Sequence, residues 1–236
     1  MEKVGDGVEA NNASWSFGGD TSLRFDEHVE KSVPLYHQGH TLIAALSDFF
    51  LTDGSTCYDL GCATGKLTQM LVERHSTKRI QIVAVDAERD MVQRATTRCQ
   101  NYPNLKVRHE DLLDLEFEKA DLIVCYYTMQ FVKPKHRQMI FDRIYQALHW
   151  GGGFLLFEKV RGPDARFQDI MTTVYNDYKL EQGYTGDEIL AKSRSLKGIL
   201  EPFSTAGNLG LLQRAGFVDI TTVMKYVCFE GFLAIK

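Results

Sequence analysis

The chain has 236 residues, of which 44% are hydrophobic and 25% are charged, close to the averages for soluble globular proteins. A chain of this length can bury a core without the help of disulfides or a metal ion. Its 27 Lys and Arg residues against 31 Asp and Glu residues give a formal charge of −4, which argues against a protein dedicated to nucleic-acid backbones but leaves a small or nucleotide-like substrate open.

The N-terminal residues 1–24 are polar and rich in Gly and Asn. We predict a flexible segment there, because the first dozen residues offer almost nothing to bury. They contain no apolar stretch typical of a secretory signal, so none is expected. From residue 26 to residue 50 the apolar spacing is helical and is interrupted at Pro34. We assign residues 25–236 to a single domain.

Short apolar runs then alternate with longer amphipathic stretches. The runs predicted to be strands are residues 56–60, 80–85, 105–108, 120–126 and 154–158. The helices predicted between them are residues 66–75, 89–100 and 136–149, and the last of these is expected to stop at the glycines 151–153. Strands separated by helices of this length predict right-handed βαβ crossovers and a parallel sheet.

The alternation breaks at residues 160–206, which are helical in pattern but too polar for a sheet core, so we predict a helical insertion over one edge of the sheet. A helix at 208–215 and strands at 218–226 and 227–235 follow, and these two strands should pair antiparallel because no crossover helix separates them. The predicted fold class is α/β. It comprises a Rossmann-like, seven-stranded, mostly parallel sheet with an antiparallel C-terminal hairpin, helices on both faces, an N-terminal lid and the insertion before the last helix.

The first predicted strand ends in the sequence YDLGCATG, residues 58–65. Gly61 and Gly65 would let the backbone turn sharply and approach a ligand where a Cβ would clash. The helix that follows would point its free N–H groups at that ligand, at the carboxyl end of a strand where open α/β sheets bind ligands. Taken alone, the two glycines fit a plain tight turn equally well.

Two further strand ends carry carboxylates. Asp86 closes the second strand and could accept both ribose hydroxyls of a nucleoside, and Asp111 follows the third strand and could meet the exocyclic amine of an adenine. Each acid alone is more often a helix cap or a solvated loop residue. Suitable groups at three successive strand ends favour a nucleoside site.

The kind of nucleoside follows from what the loop lacks. Cys62 stands where a dinucleotide site has its middle glycine, and no GxxxxGK[ST] loop for a triphosphate is present. Asp59, just before the turn, would repel a phosphate but could face the ammonium of an amino acid. A ligand with adenosine at one end and a zwitterion at the other fits, and S-adenosylmethionine is such a molecule.

The sequence resembles the class I S-adenosylmethionine-dependent methyltransferases and, within that superfamily, the carboxy-S-adenosylmethionine synthase group. The similarity runs from about residue 25 to the C-terminus. The segments that carry it are SVPLY (32–36), YDLGCATGKLT (58–68), VAVDAERDM (83–91), TMQFVKP (128–134), GYTGDEI (183–189) and RAGF (214–217).

The resemblance implies a role for individual residues. Tyr36 would close over the ligand, and Tyr126 would contact it at a position where the group has asparagine. The other residues implied in cofactor binding are Asp59, Gly61, Cys62, Ala63, Gly65, Asp86, Ala87, Met91, Asp111 and Leu112. The group also binds the extra carboxylate of its product with an arginine of the insertion. An ungapped alignment puts Ser193 at that position and Arg194 one residue later, and this departure weighs against carboxylation.

The residues predicted to act in catalysis are Tyr36, Tyr126, Tyr175 and Arg194. By default the fold implies transfer of the methyl group of S-adenosylmethionine to a small acceptor, mainly through positioning. The alternatives are a non-methylating use of the same molecule, either carboxylation from prephenate or cyclisation to azetidine-2-carboxylate with release of methylthioadenosine, and a non-catalytic binding module.

Partners and location are predicted from composition and from the resemblance. The five cysteines have no CxxC spacing, so we expect reduced thiols, a cytoplasmic protein and no metal site. No run approaches the about 18 apolar residues of a membrane span, and no basic groove with interleaved aromatics suggests nucleic acid. The resemblance implies a homodimer formed through the insertion, acting on a small molecule.

Overall fold

The computed structural model describes residues 2–236. Two short strands, β1 (Glu2–Lys3) and β2 (Glu9–Ala10), pair antiparallel at the N-terminus. Helix α1 (Asp20–Ser32) follows, and helix α2 (Tyr36–Ser47) begins just after Pro34, where the sequence predicted the interruption.

The seven-stranded sheet is confirmed. Its strands are β3 (Thr56–Leu60), β4 (Gln81–Asp86), β5 (Leu105–His109), β6 (Ala120–Tyr126), β7 (Leu148–Lys159), β8 (Asp219–Tyr226) and β9 (Phe229–Ile235). They lie in the order β5-β4-β3-β6-β7-β9-β8, with the first five parallel and β9 antiparallel to both of its neighbours. The direction of strand order therefore reverses between β3 and β6, and ligands of open α/β sheets bind at such a reversal.

The remaining helices are α3 (Lys66–Arg74), α4 (Arg89–Cys99), a 3₁₀ turn (Met129–Phe131), α5 (Pro134–Ala147), α6 (Ala165–Glu181), α7 (Gly186–Ser195) and α8 (Thr205–Ala215). Helices α6 and α7 make up the predicted insertion. Both begin at side-chain caps, since Asp164 accepts a hydrogen bond from the Phe167 N–H and Thr185 forms a capping box with Glu188.

Each face of the sheet carries its own core. On one face, β6 residue Ile123 and β7 residue Phe154 pack with Phe141 of α5. On the other face, Val124 and Phe157 pack with residues of α2 and α3. Full burial of a side chain such as Phe141 contributes about 1.5–3 kcal/mol. Helices thus cover both faces, as the near-continuous apolar strands predicted.

The N-terminal residues differ from the prediction of a flexible segment. Val4, Val8 and Trp15 are buried in a small cluster with Ala191 of α7. The backbone also joins the insertion, because the N–H groups of Ala13 and Trp15 donate to carbonyls at the end of α7. The sequence of this segment looked poor in buried surface because its partner lies more than 170 residues away along the chain.

The glycines 151–153 also differ from the prediction. They do not simply stop a helix, since α5 ends at Ala147 and β7 begins at Leu148, so that the glycines lie within the strand. The pairing of β7 with β6 is irregular there, with Leu148 opposite Ala120 and Gly153 opposite Leu122. A Cβ on Gly153 would lie 2.8 Å from the ring of Phe50, so close packing, rather than a turn, explains this glycine.

No helix within residues 2–236 is long and apolar enough to cross a membrane. In the same range, no group of three or more His, Cys, Asp or Glu side chains is arranged to hold a metal ion.

Candidate active site

The predicted site residues lie at the carboxyl ends of β5, β4, β3 and β6, which are consecutive in the sheet. The loop after β3 contains three residues in the left-handed region, namely Gly61 (φ 76°), Ala63 (φ 48°) and Gly65 (φ 79°). The N–H groups of Gly61 and Cys62 both donate to the carbonyl of Val85, at 2.8 and 3.0 Å. The loop is therefore fixed against β4 by its own backbone.

Packing against Thr128 requires a glycine at position 61, a constraint that the sequence did not reveal. A Cβ at this position would overlap the side chain of Thr128, which follows β6. The Thr128 hydroxyl donates to the carbonyl of Leu60 at 2.9 Å and so closes the space beside the glycine. Close approach of protein atoms thus demands glycine here, whether or not a ligand also does.

Asp86, the last residue of β4, organises the loop. Its Oδ2 accepts a hydrogen bond from the Ala63 N–H and its Oδ1 accepts one from the Glu88 N–H, both at 2.9 Å. Burial raises the pKa of this half-buried carboxyl, and the two N–H groups oppose that rise. Because a carboxylate can accept about four hydrogen bonds, each oxygen keeps a lone pair for a ribose hydroxyl. Ala87 next to it is exposed, and Met91 is buried on α4.

Asp59 is 1% exposed and faces α3. The Thr68 hydroxyl donates to its Oδ2 at 2.5 Å, and no other residue in 2–236 donates to this carboxyl. Burial raises the pKa of Asp59 to about 6, and the charge of Asp86 adds to the rise. A buried carboxylate with so few donors is suited to an ammonium partner, which would lower the pKa again.

The residues predicted to contact the adenine, Asp111 and Leu112, make fewer side-chain hydrogen bonds than Asp86. Asp111 is exposed, and its Oδ1 accepts a hydrogen bond from the Leu113 N–H at 2.9 Å, as a turn-forming Asp does. Leu112 is buried with Val83 and Leu115. Cys62 is buried against Ala84 and Ala95, and burial raises the pKa of its thiol well above the usual value.

Three tyrosines lie together beside the strand ends. The ring centroids of Tyr36 and Tyr126 are 5.1 Å apart, and those of Tyr126 and Tyr127 are 4.6 Å apart. The Tyr126 hydroxyl donates to the carbonyl of Tyr36 at 2.6 Å, so this side chain holds the first turn of α2 in place. Burial raises the pKa of all three hydroxyls above the ordinary value.

Tyr127 is a residue that the sequence reasoning did not select. It has φ 58°, and its hydroxyl is buried with no hydrogen-bond partner among residues 2–236. A non-glycine residue in the left-handed region at a strand end is a feature of functional sites. The signal available in the sequence was its place next to Tyr126, directly after a buried strand.

The two predicted residues of the insertion lie in different surroundings. The Tyr175 hydroxyl donates to the carbonyl of Ser32 at 2.7 Å, and its ring packs on Phe229 with centroids 5.2 Å apart. Arg194 is exposed, with its nearest carboxylate that of Glu2 at 4.0 Å. Ser193 is exposed as well. Tyr175 therefore packs in the same hydrophobic core as Tyr36, Tyr126 and Tyr127. Arg194 instead lies beside strand β1 at the N-terminus.

The N-terminal segment covers the loop after β3. Phe17 packs on Phe131, beyond β6, with centroids 4.8 Å apart, and the Gly19 N–H donates to Asp90 Oδ2, beyond β4, at 2.7 Å. Asp26 of α1 then accepts hydrogen bonds from the Thr64 hydroxyl at 2.6 Å and from Arg98 at 2.8 Å. These contacts place the segment over the loop after β3 and connect α1 to that loop through Thr64.

The chain matches a known domain family over part of its length and known proteins over nearly all of its length. A methyltransferase domain model matches residues 58–152. The chain is 35% identical over 227 residues to the carboxy-S-adenosyl-L-methionine synthase of Staphylococcus epidermidis, and the match covers 96% of this chain and 99% of that protein. It is 35% identical over 223 residues to the synthase of Campylobacter lari, with 94% of each chain covered.

Among solved structures, human N-acetylserotonin methyltransferase in complex with S-adenosylmethionine superposes with a TM-score of 0.62 at 18% identity, covering 91% of this chain and 55% of that one. This likeness shows the fold, and the near-full-length sequence matches show the family. The chain belongs to the carboxy-S-adenosyl-L-methionine synthase family, a group of S-adenosylmethionine-dependent enzymes built on the class I methyltransferase fold.

Proposed function

We propose that the chain converts S-adenosylmethionine to carboxy-S-adenosylmethionine, taking the carboxyl group from a small carboxylic acid such as prephenate. The observation that carries this proposal is 35% identity to a synthase of that name over 96% of the chain. In this use S-adenosylmethionine is the substrate. The bond between the carboxyl carbon and the ring of prephenate would break as the ring hydroxyl leaves and the ring becomes aromatic. The released hydroxide would take a proton from the methyl carbon, which would then form a bond to the carboxyl carbon.

Binding would use the strand-end groups in order. Asp86 would accept the ribose hydroxyls while it keeps its two backbone hydrogen bonds. Asp59 would face the ammonium, and Asp111 with Leu112 would meet the adenine. The rings of Tyr36 and Tyr126 would stabilise the sulfonium by cation–π attraction of about 0.5–2 kcal/mol.

The tyrosines support binding and orientation rather than proton transfer. The hydroxyls of Tyr126 and Tyr175 both donate to backbone carbonyls, and burial raises the pKa of each above the ordinary value. A hydroxyl in that state is a poor base near neutral pH. The proton lost by the methyl carbon would therefore be taken by the hydroxide that the second substrate releases, and it would leave as water.

A second candidate is a use of S-adenosylmethionine without an added carboxylate, either methyl transfer or cyclisation. One observation favours it: Ser193 and Arg194, where the family resemblance implies an arginine for that carboxylate, are exposed. Methyl transfer is also the default for the fold.

One incubation separates the candidates. The protein is supplied with S-adenosylmethionine alone or with prephenate, and the adenosine-containing products are identified by mass spectrometry. Carboxy-S-adenosylmethionine formed only with prephenate supports the proposal. Methylthioadenosine formed without an acceptor, above the rate with heat-denatured protein, would replace the proposal with cyclisation, and S-adenosylhomocysteine would replace it with methyl transfer.

We propose a cytoplasmic homodimer that works in small-molecule biosynthesis. All five cysteines are buried without disulfides, as expected in a reducing compartment. Helix α6 exposes three apolar side chains at helical spacing, Phe167 (49%), Ile170 (54%) and Val174 (42%), a stripe suited to a second copy. Light scattering should give twice the chain mass, and Phe167→Asp should give the monomer. A monomeric wild-type protein at micromolar concentration would refute the dimer.

A further inference from the structure

Two lysines lie against the ring of Tyr175. The Nζ of Lys159, the last residue of β7, is 4.2 Å from the ring centroid, and the Nζ of Lys179, in the last turn of α6, is 4.5 Å from it. Both side chains are partly buried, and neither Nζ forms a hydrogen bond or ion pair with any residue in 2–236. The ring supplies cation–π attraction but no counter-charge.

No carboxylate is among the charges that shift the pKa of either lysine, and the charge of Lys179 also lowers the pKa of a third partly buried lysine, Lys192. The Cys228 thiol acts on both Lys159 and Lys179, and the charge of Lys159 acts on Lys179. Burial lowers the pKa of both lysines, and burial together with the charge of Lys159 lowers that of Lys179 to about 8. The neighbouring Glu158 is not among the charges that act on either lysine, since successive strand residues point to opposite faces; it acts on the Tyr127 hydroxyl, and the charge of Arg137 acts on Glu158.

A buried cation without a partner is costly, so two together are poor candidates for a structural role. A third feature points to the same place. The unpartnered hydroxyl of Tyr127 is buried, and its ring lies between that of Tyr36, at 6.4 Å, and that of Phe229, at 5.8 Å. Phe229 in turn packs on Tyr175 and lies 5.9 Å from the Lys159 Nζ. A free donor and two free cations thus border the cluster that includes Tyr36.

We propose that Lys159, Lys179 and Tyr127 form a subsite for a carboxylate of the second substrate, beside the position of the S-adenosylmethionine methyl group. Two ammonium groups and a hydroxyl can donate to both oxygens of one carboxylate, and the dry surroundings strengthen such charge-assisted bonds. The inference rests on the proposed function only in that the second substrate is a carboxylic acid.

The test measures binding without turnover. Prephenate is titrated by calorimetry at pH 7 into protein saturated with S-adenosylhomocysteine, which has no methyl group to react. The variants are Lys159→Met and Lys179→Met, with Lys106→Met on the exposed edge strand β5 as the matched control. We expect each of the first two to weaken prephenate by roughly 10-fold or more, and Lys106→Met to leave it unchanged.

The same experiment tests which carboxylate the lysines bind, that of prephenate or that of the methionine end of S-adenosylhomocysteine. S-adenosylhomocysteine should bind the variants within about twofold of wild type. If its affinity falls instead and prephenate does not bind the saturated protein, the lysines hold the methionine carboxylate and the proposal is overturned. Inorganic phosphate that binds as tightly as prephenate would also overturn it, by showing a general anion site.

Folding is checked by thermal unfolding. Both Met variants should be at least as stable as wild type, because each removes an unpaired buried charge. If either fails to fold, Tyr127→Phe loses only the hydroxyl and should still weaken prephenate several-fold. Failure of the proposed function can be distinguished from failure of the subsite. If prephenate binding depends on the lysines but no carboxy-S-adenosylmethionine forms, the subsite proposal stands and the proposed function is refuted. If the product forms but both Met variants bind prephenate as tightly as wild type, the subsite proposal is refuted.

Discussion

Replacement of Asp86 by Asn tests the candidate nucleoside site most directly. The carboxylate accepts one hydrogen bond at each oxygen, from Ala63 and Glu88. An asparagine side chain has one acceptor oxygen and one amide group that can only donate. The amide must therefore face one of the two N–H groups, which loses a hydrogen bond and brings two donors together.

The expected magnitude follows from these contacts. A hydrogen bond to a charged group contributes about 1.5–3 kcal/mol. Ala63 is held in the left-handed region, which costs a non-glycine residue roughly 1–2 kcal/mol, so loss of its hydrogen bond would let the loop relax away from the site. If the ribose hydroxyls also lose a charged acceptor, affinity for S-adenosylhomocysteine should fall by roughly 10- to 100-fold.

Calorimetry with S-adenosylhomocysteine and with its 2′-deoxy analogue separates ligand contact from loop support. The wild-type protein should prefer the hydroxyl-bearing ligand, and Asp86→Asn should lose that preference, as in a double-mutant cycle. Asp114→Asn, an exposed acid after β5, is the control and should change neither affinity. An Asp86→Asn protein that binds both ligands more weakly by the same factor would refute ribose contact and leave Asp86 as a loop anchor only.

Three further predictions concern the same edge of the sheet. Since the pKa of Asp59 is raised from 3.8 to about 6, this carboxyl is largely protonated at pH 5 and largely charged at pH 7 in the free protein. Because only the charged form attracts an ammonium group, calorimetry should show tighter binding of S-adenosylhomocysteine at pH 7 than at pH 5. Equal affinities would contradict this role. Tyr36→Ala should weaken S-adenosylmethionine more than neutral S-adenosylhomocysteine, while Tyr36→Phe keeps the difference; equal losses would mean that the ring merely packs. Gly61→Ala should lower the melting temperature through overlap with Thr128, and Thr128→Ala should restore part of it; an unchanged melting temperature would show that the loop shifts freely.

Much of the fold was predictable because its signals are local. The strands Thr56–Leu60 and Ala120–Tyr126 have the predicted bounds, and helices α3 and α4 end within one residue of the prediction. Apolar periodicity and glycine positions act over a few residues and are readable without a partner. The parallel order followed from the alternation of strands and helices, since crossovers of one hand leave few topologies.

The sequence by itself determined the element order, the loop after β3 and the acids at the strand ends, because each depends on residues close together in the chain. Only the tertiary structure decided that Lys159 and Lys179 lie on the ring of Tyr175, that Arg194 faces Glu2, and that the N-terminal segment packs on α7. These features join segments from opposite ends of the sequence. Neither a hydrophobic period nor a turn signal records such a contact, since burial and charge pairing depend on which surfaces meet after the sheet has formed.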